Sequence, residues 1–336
     1  MTTPKISVCG AAAVWDRVFS VDQLPSTGEI VCITDHCEGI LPGGCAPNIA
    51  TDLCLLTNSN IELHYPVGKD FDDLGLEHVW INRGIDCSKL TRVSTENSGG
   101  AYLFMQPDGK TMCFSYLGAA ATALPQSTDN LGDIVVICPV FNQFTQAILR
   151  AAIAQKKKIV FTGIGTSEIL PYLSCIDVLM VNVTESKALL QAAGLQSPQE
   201  LLRLYKNLSI FVTHGGEGSC VYSGVQNLCI PTIRANQLAD STGAGDAYTS
   251  AVVCAMALGL DMQQAAYLGS ACASFAVEVW GGQSACADFQ KCMERLAQQY
   301  PSIAAGIERS LQSDSLESGK SMQSGLSAGK EEHNYE

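Results

Sequence analysis

The stretch Asp240-Ser241-Thr242-Gly243-Ala244-Gly245-Asp246 separates the apolar run Ile230–Ile233 from a second apolar segment that begins at Tyr248. We predict a strand for the first segment, a buried helix for the second, and a turn between them. Two glycines and an alanine let a backbone curl so that several N–H groups point at one spot. The positive end of the following helix adds to that field, so the turn is predicted to bind an anion.

Asp246 stands where the predicted turn meets the helix, and a carboxylate there can accept a proton from a hydroxyl group. An ordinary strand–helix turn with an aspartate N-cap has the same local pattern as Gly-Ala-Gly-Asp alone. Asp240, Thr242 and the buried helix make the anion-site interpretation more specific. Position 104 is Phe where a P-loop ending in Gly-Lys-Thr needs glycine, and no G-x-G-x-x-G occurs.

Short apolar runs rich in Val and Ile recur along the chain, with helical patterns such as Phe144–Gln155 and Pro198–Lys206 between them. Near-continuous apolar runs suit parallel strands that are buried on both faces. Strands that alternate with helices predict an α/β fold with a central sheet covered on both sides. The predicted strands are Ile6–Ala13, Ile61–Val67, Asp133–Val140, Lys158–Gly163, Asp177–Val183 and Leu208–Thr213.

Two segments interrupt this alternation. Glu29–Gly39 has the pattern of an extended piece, and Ser98–Tyr116 contains two strand-like runs around a turn at Gln106–Lys110. We predict a small inserted sheet at about 28–42 and 97–118. An inserted sheet beside a cleft often acts as a lid.

The C-terminal part begins with two consecutive predicted helices. The first ends at Leu258-Gly259, and the second begins at Asp261, with Gln264 at capping-box spacing, and runs to about Glu278. Small residues in the second helix allow a neighbouring backbone to approach closely. From about Gly306 the chain is polar and aperiodic, so we predict one domain over 1–305 and a disordered tail over 306–336.

The net charge of −13 argues against binding to nucleic acid or to anionic membranes, since both need a basic surface. The 15 cysteines are scattered without a C-x-x-C pair, which predicts reduced, buried thiols. The five histidines are isolated, so no histidine- or cysteine-based metal site is predicted. No apolar stretch approaches the length of a membrane span, and we expect a soluble, cytoplasmic protein.

Five motifs together resemble the ribokinase-like (PfkB) sugar and nucleoside kinases. Residues 240–246 resemble the second signature of that family, and Gly43-Gly44-Cys45-Ala46-Pro47-Asn48 resembles the first. Three further family motifs are resembled by Val67-Gly68-Lys69-Asp70, Asn182-Val183-Thr184-Glu185, and Val212-Thr213-His214-Gly215 with Gly218. The motifs occur in the family's order over residues 5 to about 300. The chain departs from the pattern after Asp70, where Asp73 replaces a glycine and Gly75 follows two positions later.

The resemblance implies a ribokinase-like three-layer α/β/α sandwich that transfers phosphate from ATP, with Mg²⁺, to an alcohol. The resemblance also implies that Asp246 is the catalytic base and that the backbone of Gly243, Ala244 and Gly245 forms the anion hole. The carbonyl groups around Asp240 and Thr242 resemble a monovalent-cation site, for K⁺, of some relatives.

The resemblance also assigns the nucleotide side. Asn182 and Glu185 resemble the pair that organises Mg²⁺ and the phosphates, with Glu185 acting through water, as suits an ion that dehydrates reluctantly. The same two residues equally suit the start of a helix after a strand. Thr213, Gly215 and Gly218 would line the ATP phosphates and ribose, although a simple β-turn has the same composition.

On the acceptor side the resemblance implies contacts from Gly43, Gly44 and Asn48. Asp16 is predicted to follow the first strand at its C-terminal end, where open α/β sheets place ligands. A short carboxylate there can bind two sugar hydroxyls, and a solvated turn aspartate is the alternative.

The identity of the acceptor is open. No basic residue occurs at Ser98-Gly99-Gly100, where kinases of phosphorylated sugars in this family tend to carry one, although Arg92 lies near. Phe114–Ala120 and Ala276–Gln283 resemble the nucleoside-kinase branch. The lid aromatics are predicted to stack on a base, or else to form the lid core or a dimer contact. These aromatics are Tyr102, Phe104 and Tyr116.

We therefore predict an ATP-dependent kinase of a ribonucleoside 5′-hydroxyl that forms a homodimer through its lid. A kinase of a free sugar, of the ribose or fructose type, is the alternative within the family. A ligand-binding or regulatory relative without chemistry is the alternative from another class, and the intact Asp246 argues against it.

Overall fold

The computed structural model describes residues 3–107, 111–163, 167–224, 226–285 and 287–312. The strands are β1 (Ile6–Cys9), β2 (Trp15–Val21), β3 (Ile33–His36), β4 (Leu41–Pro42), β5 (Ile61–His64), β6 (Pro66–Val67), β7 (Ile85–Asp86), β8 (Thr91–Arg92), β9 (Gly100–Met105), β10 (Thr111–Tyr116), β11 (Ile134–Ile137), β12 (Lys158–Thr162), β13 (Val178–Asn182), β14 (Ser209–Thr213), β15 (Ser219–Tyr222) and β16 (Asn227–Ile230). The α-helices are α1 (Cys45–Leu56), α2 (Phe71–Leu74), α3 (Leu76–Asn82), α4 (Gln143–Ala154), α5 (Val183–Ala193), α6 (Pro198–Leu204), α7 (Ala244–Ala257), α8 (Met262–Ala276) and α9 (Phe289–Gln299).

The central sheet has nine strands in the order β16-β15-β14-β13-β12-β11-β1-β5-β7. All of its neighbouring pairs from β14 to β7 are parallel, and at one edge β15 runs antiparallel to both of its neighbours, β14 and β16. Each strand predicted from an apolar run is present and is one to four residues shorter than predicted. The short β6 and β8 pair separately.

Both faces of this sheet are buried under helices, which explains the continuous apolar runs. Along β11, Ile134 and Val136 face the cluster that contains α1, α7, α8 and α9, whereas Val135 and Ile137 face the cluster that contains α4, α5 and α6. The fold is thus the predicted three-layer α/β/α sandwich. Gly269 of α8 lies against the ring of Tyr248 of α7, so the space at this small residue is filled by a side chain and not by a neighbouring backbone.

A second sheet, the lid, has the order β10-β9-β2-β3, with β4 also paired to β2. The lid contains five strands where the sequence indicated three, because β2 lies at its centre and pairs in parallel with β9, and the short β4 pairs with β2. Asp16 is therefore inside a lid strand and not at the end of β1, which corrects the prediction. The tip of the predicted hairpin turn, 108–110, lies outside the described residues.

The chain ends differ from prediction in two places. Strand β16 stops at Ile230, because Pro231 has no N–H for a ladder, so residues 231–233 are not part of the strand. Residues 301–312 are helical and Ile307 is fully buried, so the predicted disorder does not begin at 306. Ile303, Ile307 and Leu311 recur at helical spacing and pack on the core despite their polar neighbours. Residues 313–336 lie outside the described part of the chain.

Cysteine chemistry also departs from the prediction. Cys220 and Cys229 face each other on β15 and β16 and form a disulfide, where only reduced thiols were expected. Several other cysteines are buried thiols, as predicted, while Cys32, Cys113 and Cys175 are exposed. Within the described residues, no group of three or more His, Cys, Asp or Glu side chains is placed to hold a metal. No helix in the described ranges is long and apolar enough to cross a membrane.

Candidate active site

The predicted anion turn lies at the N-terminus of α7, at the carboxyl-terminal edge of the central sheet. The helix begins at Ala244, so Asp246 is already in its first turn and not in the loop before it. Gly243 has φ 80°, a conformation that favours glycine, and a methyl group built on it would meet the Gly282 backbone at 2.7 Å. The open side of Gly245 borders two cavities, so the first-turn N–H groups of α7 lie between them.

Asp246 is held by α1. Its Oδ2 atom accepts a hydrogen bond of 2.8 Å from Nδ2 of Asn48, and the Cys45 thiol also bonds its carboxylate. Burial raises the pKa of Asp246 to about 6, while the bonds from Asn48 and Cys45 act in the opposite direction. A carboxylate with this pKa is mostly ionised at neutral pH yet accepts protons readily, which suits a general base.

Asp16 is on β2, is 4% exposed, and lies near enough to Asp246 and Asp240 for their charges to act on it. Burial raises its pKa to about 7, and the charges of Asp246 and Asp240 add to the shift. No hydrogen-bond partner of this carboxylate occurs among the described residues. Its oxygens are therefore available to a ligand, and an ionised group kept this dry gains most from hydroxyl donors.

The two glycines of the first signature make room for the protein itself. A methyl group on Gly43 would overlap the Asp16 carboxylate, and one on Gly44, which has φ 89°, would overlap the carbonyl of Ala13. The contact with the acceptor that the resemblance implies for these glycines stays a prediction. Their direct effect is to let the start of α1, with Asn48, approach β2.

Asn182 and Glu185 form the capping box of α5. The Asn182 side chain accepts from the Glu185 N–H at 2.9 Å, and Glu185 accepts from the Asn182 N–H at 2.8 Å. The helix-start interpretation is thus correct for both residues. Both also line a cavity of about 150 Å³ that contains Asp246, and burial raises the pKa of Glu185 against the opposing Asn182 bond. The structural and functional interpretations are therefore compatible.

The nucleotide loop borders a larger cavity of about 410 Å³ on the other side of the first turn of α7. Thr213 ends β14, while Gly215 and Gly218 have φ 58° and 103°, and all three line the cavity. Most of the other walls are small or apolar side chains after β16 and on or just after α8, and Arg234 adds a positive charge to the lining. These include Thr232, Ala235, Ser270, Ser274 and Val277. Apart from Val277, which lies in the segment Ala276–Gln283, no quoted motif contains them, and α8 contacts residues 231–235 where the Ile233 N–H donates to Ser270.

Asp240 is 2% exposed, and its two carboxylate oxygens accept hydrogen bonds from the backbone of the anion turn and of the turn after α8. Oδ1 accepts from the Thr242 N–H at 2.8 Å, and Oδ2 accepts from the Gly281 N–H at 3.0 Å. The cation site predicted at the carbonyl groups around Asp240 and Thr242 stays a prediction.

The lid aromatics lie on the face opposite Asp16. Tyr102 is paired with Arg17, whereas Asp16 is paired with Ala101, and neighbouring residues of a strand point to opposite faces. Tyr102 and Tyr116 are 40% and 52% exposed. The predicted stacking of these aromatics on an acceptor base is therefore wrong for this arrangement of the chain, and their exposure favours the dimer-contact alternative.

Arg92 does not serve the cleft. Its guanidinium forms ion pairs with Asp72 at 2.8 Å and with Glu77 at 2.5 Å. Arg92 was the basic residue that could have bound the phosphate of a phosphorylated acceptor. Its charge is already neutralised by two carboxylates.

Comparison with known proteins is consistent with this geometry. The family model described as pfkB family carbohydrate kinase matches residues 5–289. A nucleoside kinase of Methanocaldococcus jannaschii is 28% identical over 298 residues, which are 87% of this chain and 96% of that protein. Its crystal structure superimposes with a TM-score of 0.77 over 88% of this chain and 98% of that chain.

Two further relatives are more distant. A ribokinase of Lactococcus lactis is 24% identical over 83% of this chain and 92% of its own length. The structure of Burkholderia thailandensis nucleoside kinase in complex with inosine has a TM-score of 0.79 at 17% identity, with coverage of 88% and 98%. At this identity the likeness establishes the ribokinase fold alone.

Proposed function

Because the chain belongs to the pfkB family of carbohydrate kinases, and is therefore a phosphotransferase that uses ATP and a hydroxyl acceptor, we propose that it phosphorylates the 5′-hydroxyl of a ribonucleoside. One observation carries the proposal. Asp16 lies near Asp246, whose charge acts on it, and the first turn of α7 separates the cavity that Asp246 lines from a second cavity large enough for a nucleotide.

Asp16 selects the acceptor in this scheme. Its two oxygens accept hydrogen bonds from the adjacent 2′- and 3′-hydroxyls of the ribose, which replaces lost water contacts of a buried charge. Asn48, beside Asp246, completes the ribose site together with the backbone at Gly43 and Gly44. The 5′-hydroxyl then lies toward Asp246.

Asp246 removes the proton of the 5′-hydroxyl while the 5′-oxygen attacks the γ-phosphorus of ATP. The bond between the γ-phosphorus and the leaving oxygen of ADP breaks in the same step. The N–H groups at Gly243, Ala244 and Gly245, with the positive end of α7, stabilise negative charge on the transferring group. The proton remains on Asp246 and passes to water before the next turnover.

The residues that would hold Mg²⁺ are Glu185, through water, with Asn182 beside it. One or two carboxylates next to bound phosphates are a usual environment for Mg²⁺, and the cavity shared by Glu185 and Asp246 has this composition. Bound there, the ion neutralises phosphate charge. Thr213, Gly215 and Gly218 enclose the ATP phosphates and ribose, and the carbonyl groups around Asp240 and Thr242 hold a monovalent cation such as K⁺.

A neutral acceptor is favoured over a phosphorylated sugar, since Asp16, Asp246 and Asp240 make the cleft acidic and Arg92 is paired elsewhere. The nucleoside kinase of M. jannaschii is the support for a nucleoside. A free sugar is the second candidate, because the lid aromatics face away from the cleft and leave a base without an aromatic partner on that side.

A panel of acceptors tests this proposal. We expect ADP release with adenosine, inosine or cytidine to exceed that with ribose, fructose or fructose 6-phosphate by roughly tenfold or more in kcat/KM. Fastest turnover of a free sugar would replace the nucleoside by that sugar. Tight binding of one compound without turnover of any would instead support the ligand-binding alternative.

The exposed aromatic face of the lid is the proposed dimer contact. Phe114 is 57% exposed and lies near Phe104, next to the exposed Tyr102 and Tyr116. A second copy of the same face would bury these rings. We expect light scattering to show that Phe114→Glu converts a two-chain particle into a single chain. Leu204→Glu, at a somewhat more exposed apolar site on α6, should have no effect. A wild-type mass of one chain would rule the contact out.

A further inference from the structure

A buried row of polar side chains leads from Asp246 to an arginine at the end of α3. Gln283 Nε2 donates to Asn48 Oδ1 at 3.0 Å, and Asn48 Nδ2 donates to Asp246 Oδ2 at 2.8 Å. Arg83 Nη1 donates to Gln283 Oε1 at 2.7 Å, and Nη2 donates to the Gln283 carbonyl at 3.4 Å. Asn48 and Gln283 are 3% and 4% exposed, so water does not readily replace these bonds.

Which group donates and which accepts in each hydrogen bond of this row follows from the residues at its two ends, Arg83 and Asp246. An amide can present either its oxygen or its NH₂ group to a neighbour, but a guanidinium only donates. Arg83 therefore requires the oxygen of Gln283, which turns the Gln283 NH₂ group toward Asn48. Gln283 in turn requires the oxygen of Asn48, which turns the Asn48 NH₂ group toward Asp246. An ionised carboxylate only accepts, so the row is consistent at both ends.

We propose that Arg83 and Gln283 are positioning residues for phosphoryl transfer, because they hold the Asn48 amide with its donor toward Asp246. The inference rests on the proposed function, since it takes Asp246 as the base. The turn that carries Gln283 also contacts the anion loop: Gly281 donates to Asp240, and Gly282 lies against Gly243. The row thus joins α3, α1 and the start of α7.

Arg83 reaches Asp246 through this row alone among the described contacts. The hydrogen bonds of its side chain go to Gln283 and, at 3.5 Å, to Thr51, whose hydroxyl bonds the same Gln283 oxygen at 3.3 Å. The other titratable groups near Asp246 belong to other elements. They are Cys45 on α1, Cys138 after β11, Asp16 on β2, Asp240 before α7 and Glu185 on α5.

Arg83→Met removes the donor that sets the row. The Asn48 amide is then free to turn its oxygen toward Asp246, which disfavours the ionised carboxylate. We expect the acid limb of the kcat profile, measured with saturating acceptor so that Asp16 is already bound to hydroxyl groups, to move from near pH 6 upward by about half to one pH unit, with a smaller loss of activity at pH 8. Arg83→Lys keeps a donor and is expected to retain the wild-type profile. Should Arg83→Met not fold, Arg83→Gln serves, since its amide does not impose a direction.

A double-mutant cycle separates this effect from the loss of the arginine charge. Gln283→Met interrupts the row without a change of charge, so in that background Arg83→Met should cause no further shift. An undiminished shift there would mean a direct charge effect and would overturn the proposal. So would an unmoved acid limb in Arg83→Met. Arg150→Met is the matched control, because Arg150 donates to Gln146 at 3.1 Å on the exposed face of α4.

The pKa of Asp246 can also be measured without turnover, by following its carboxyl carbon with ¹³C NMR as the pH changes. The measurement is made on the wild-type chain and on the single and double variants of Arg83 and Gln283. The Asp246 signal is assigned by its loss in Asp246→Asn. If the wild-type chain phosphorylated none of the acceptors, the proposed function would fail while this titration would still decide whether Arg83 and Gln283 govern the Asp246 proton. An unchanged titration beside normal turnover would instead overturn the positioning proposal alone.

Discussion

Asp246→Asn is expected to lower kcat by roughly a hundredfold or more, because a positioned general base contributes about that much to a proton transfer. The amide oxygen that this substitution introduces can still accept the bond from Asn48, so the fold and ATP binding should remain. Single-turnover measurement of ADP release, with ATP affinity from calorimetry, checks both parts. The remaining rate reports what the anion hole and positioning supply without the base.

Asp261→Asn is the matched control. Asp261 is the exposed N-cap of α8, and asparagine caps a helix as well as aspartate does. We expect its kcat and ATP affinity to equal those of the wild-type protein. Unimpaired turnover of Asp246→Asn would exclude this residue as the base and would remove the centre of the proposed mechanism.

The core of the fold was predictable because each of its strands is buried on both faces. Burial on two faces produces an unbroken apolar run such as Ile134–Ile137, which periodicity detects without tertiary information. The start of α8 was predictable for a similar reason, since Asp261 and Gln264 cap it by purely local bonds.

Strand β2 was missed because neither of its faces is uniformly apolar. Asp16, Val18 and Ser20 alternate with Trp15 and Phe19, so one side mixes polar residues with the buried Val18 and the other is the aromatic face. The polar Asp16 thus stands where an apolar residue would have revealed the strand. The helix over 301–312 was missed because three apolar residues among polar ones become a signal only when the core that covers them is known.

The candidate site was predictable where its residues are local and not where they come from distant parts of the chain. Residues 240–246 and the capping pair at Asn182 can be found from spacing. Arg83 and Gln283 lie 200 positions apart, and no local pattern relates them. Their contact depends on the packing of α3 against the turn after α8, which a single sequence does not reveal.

Asp16 combines a stability cost with the largest expected effect on acceptor binding. Its pKa of about 7 lies above the value of about 4 in an unfolded chain. A raised carboxyl pKa means that the folded state prefers the neutral form, so the ionised form destabilises the fold at pH above 7. Below pH 4 the group is neutral in both states and the cost disappears. Hydroxyl donors from the acceptor offset this cost, which couples binding to stability.

Asp16→Ala is therefore expected to raise the KM of the acceptor by roughly a hundredfold or more, because two charge-assisted hydrogen bonds are lost. The same change should raise the Tm of the free protein at pH 8 by a few degrees and should have no such effect at pH 4. Asp35→Asn, at an exposed position of the same lid, should change neither KM nor Tm. Calorimetry at the two pH values, with acceptor kinetics at pH 8, measures both quantities. An unchanged KM would show that the acceptor hydroxyls are bound elsewhere. A lower Tm at pH 8 would show that Asp16 stabilises the free protein, which contradicts the stability cost argued above.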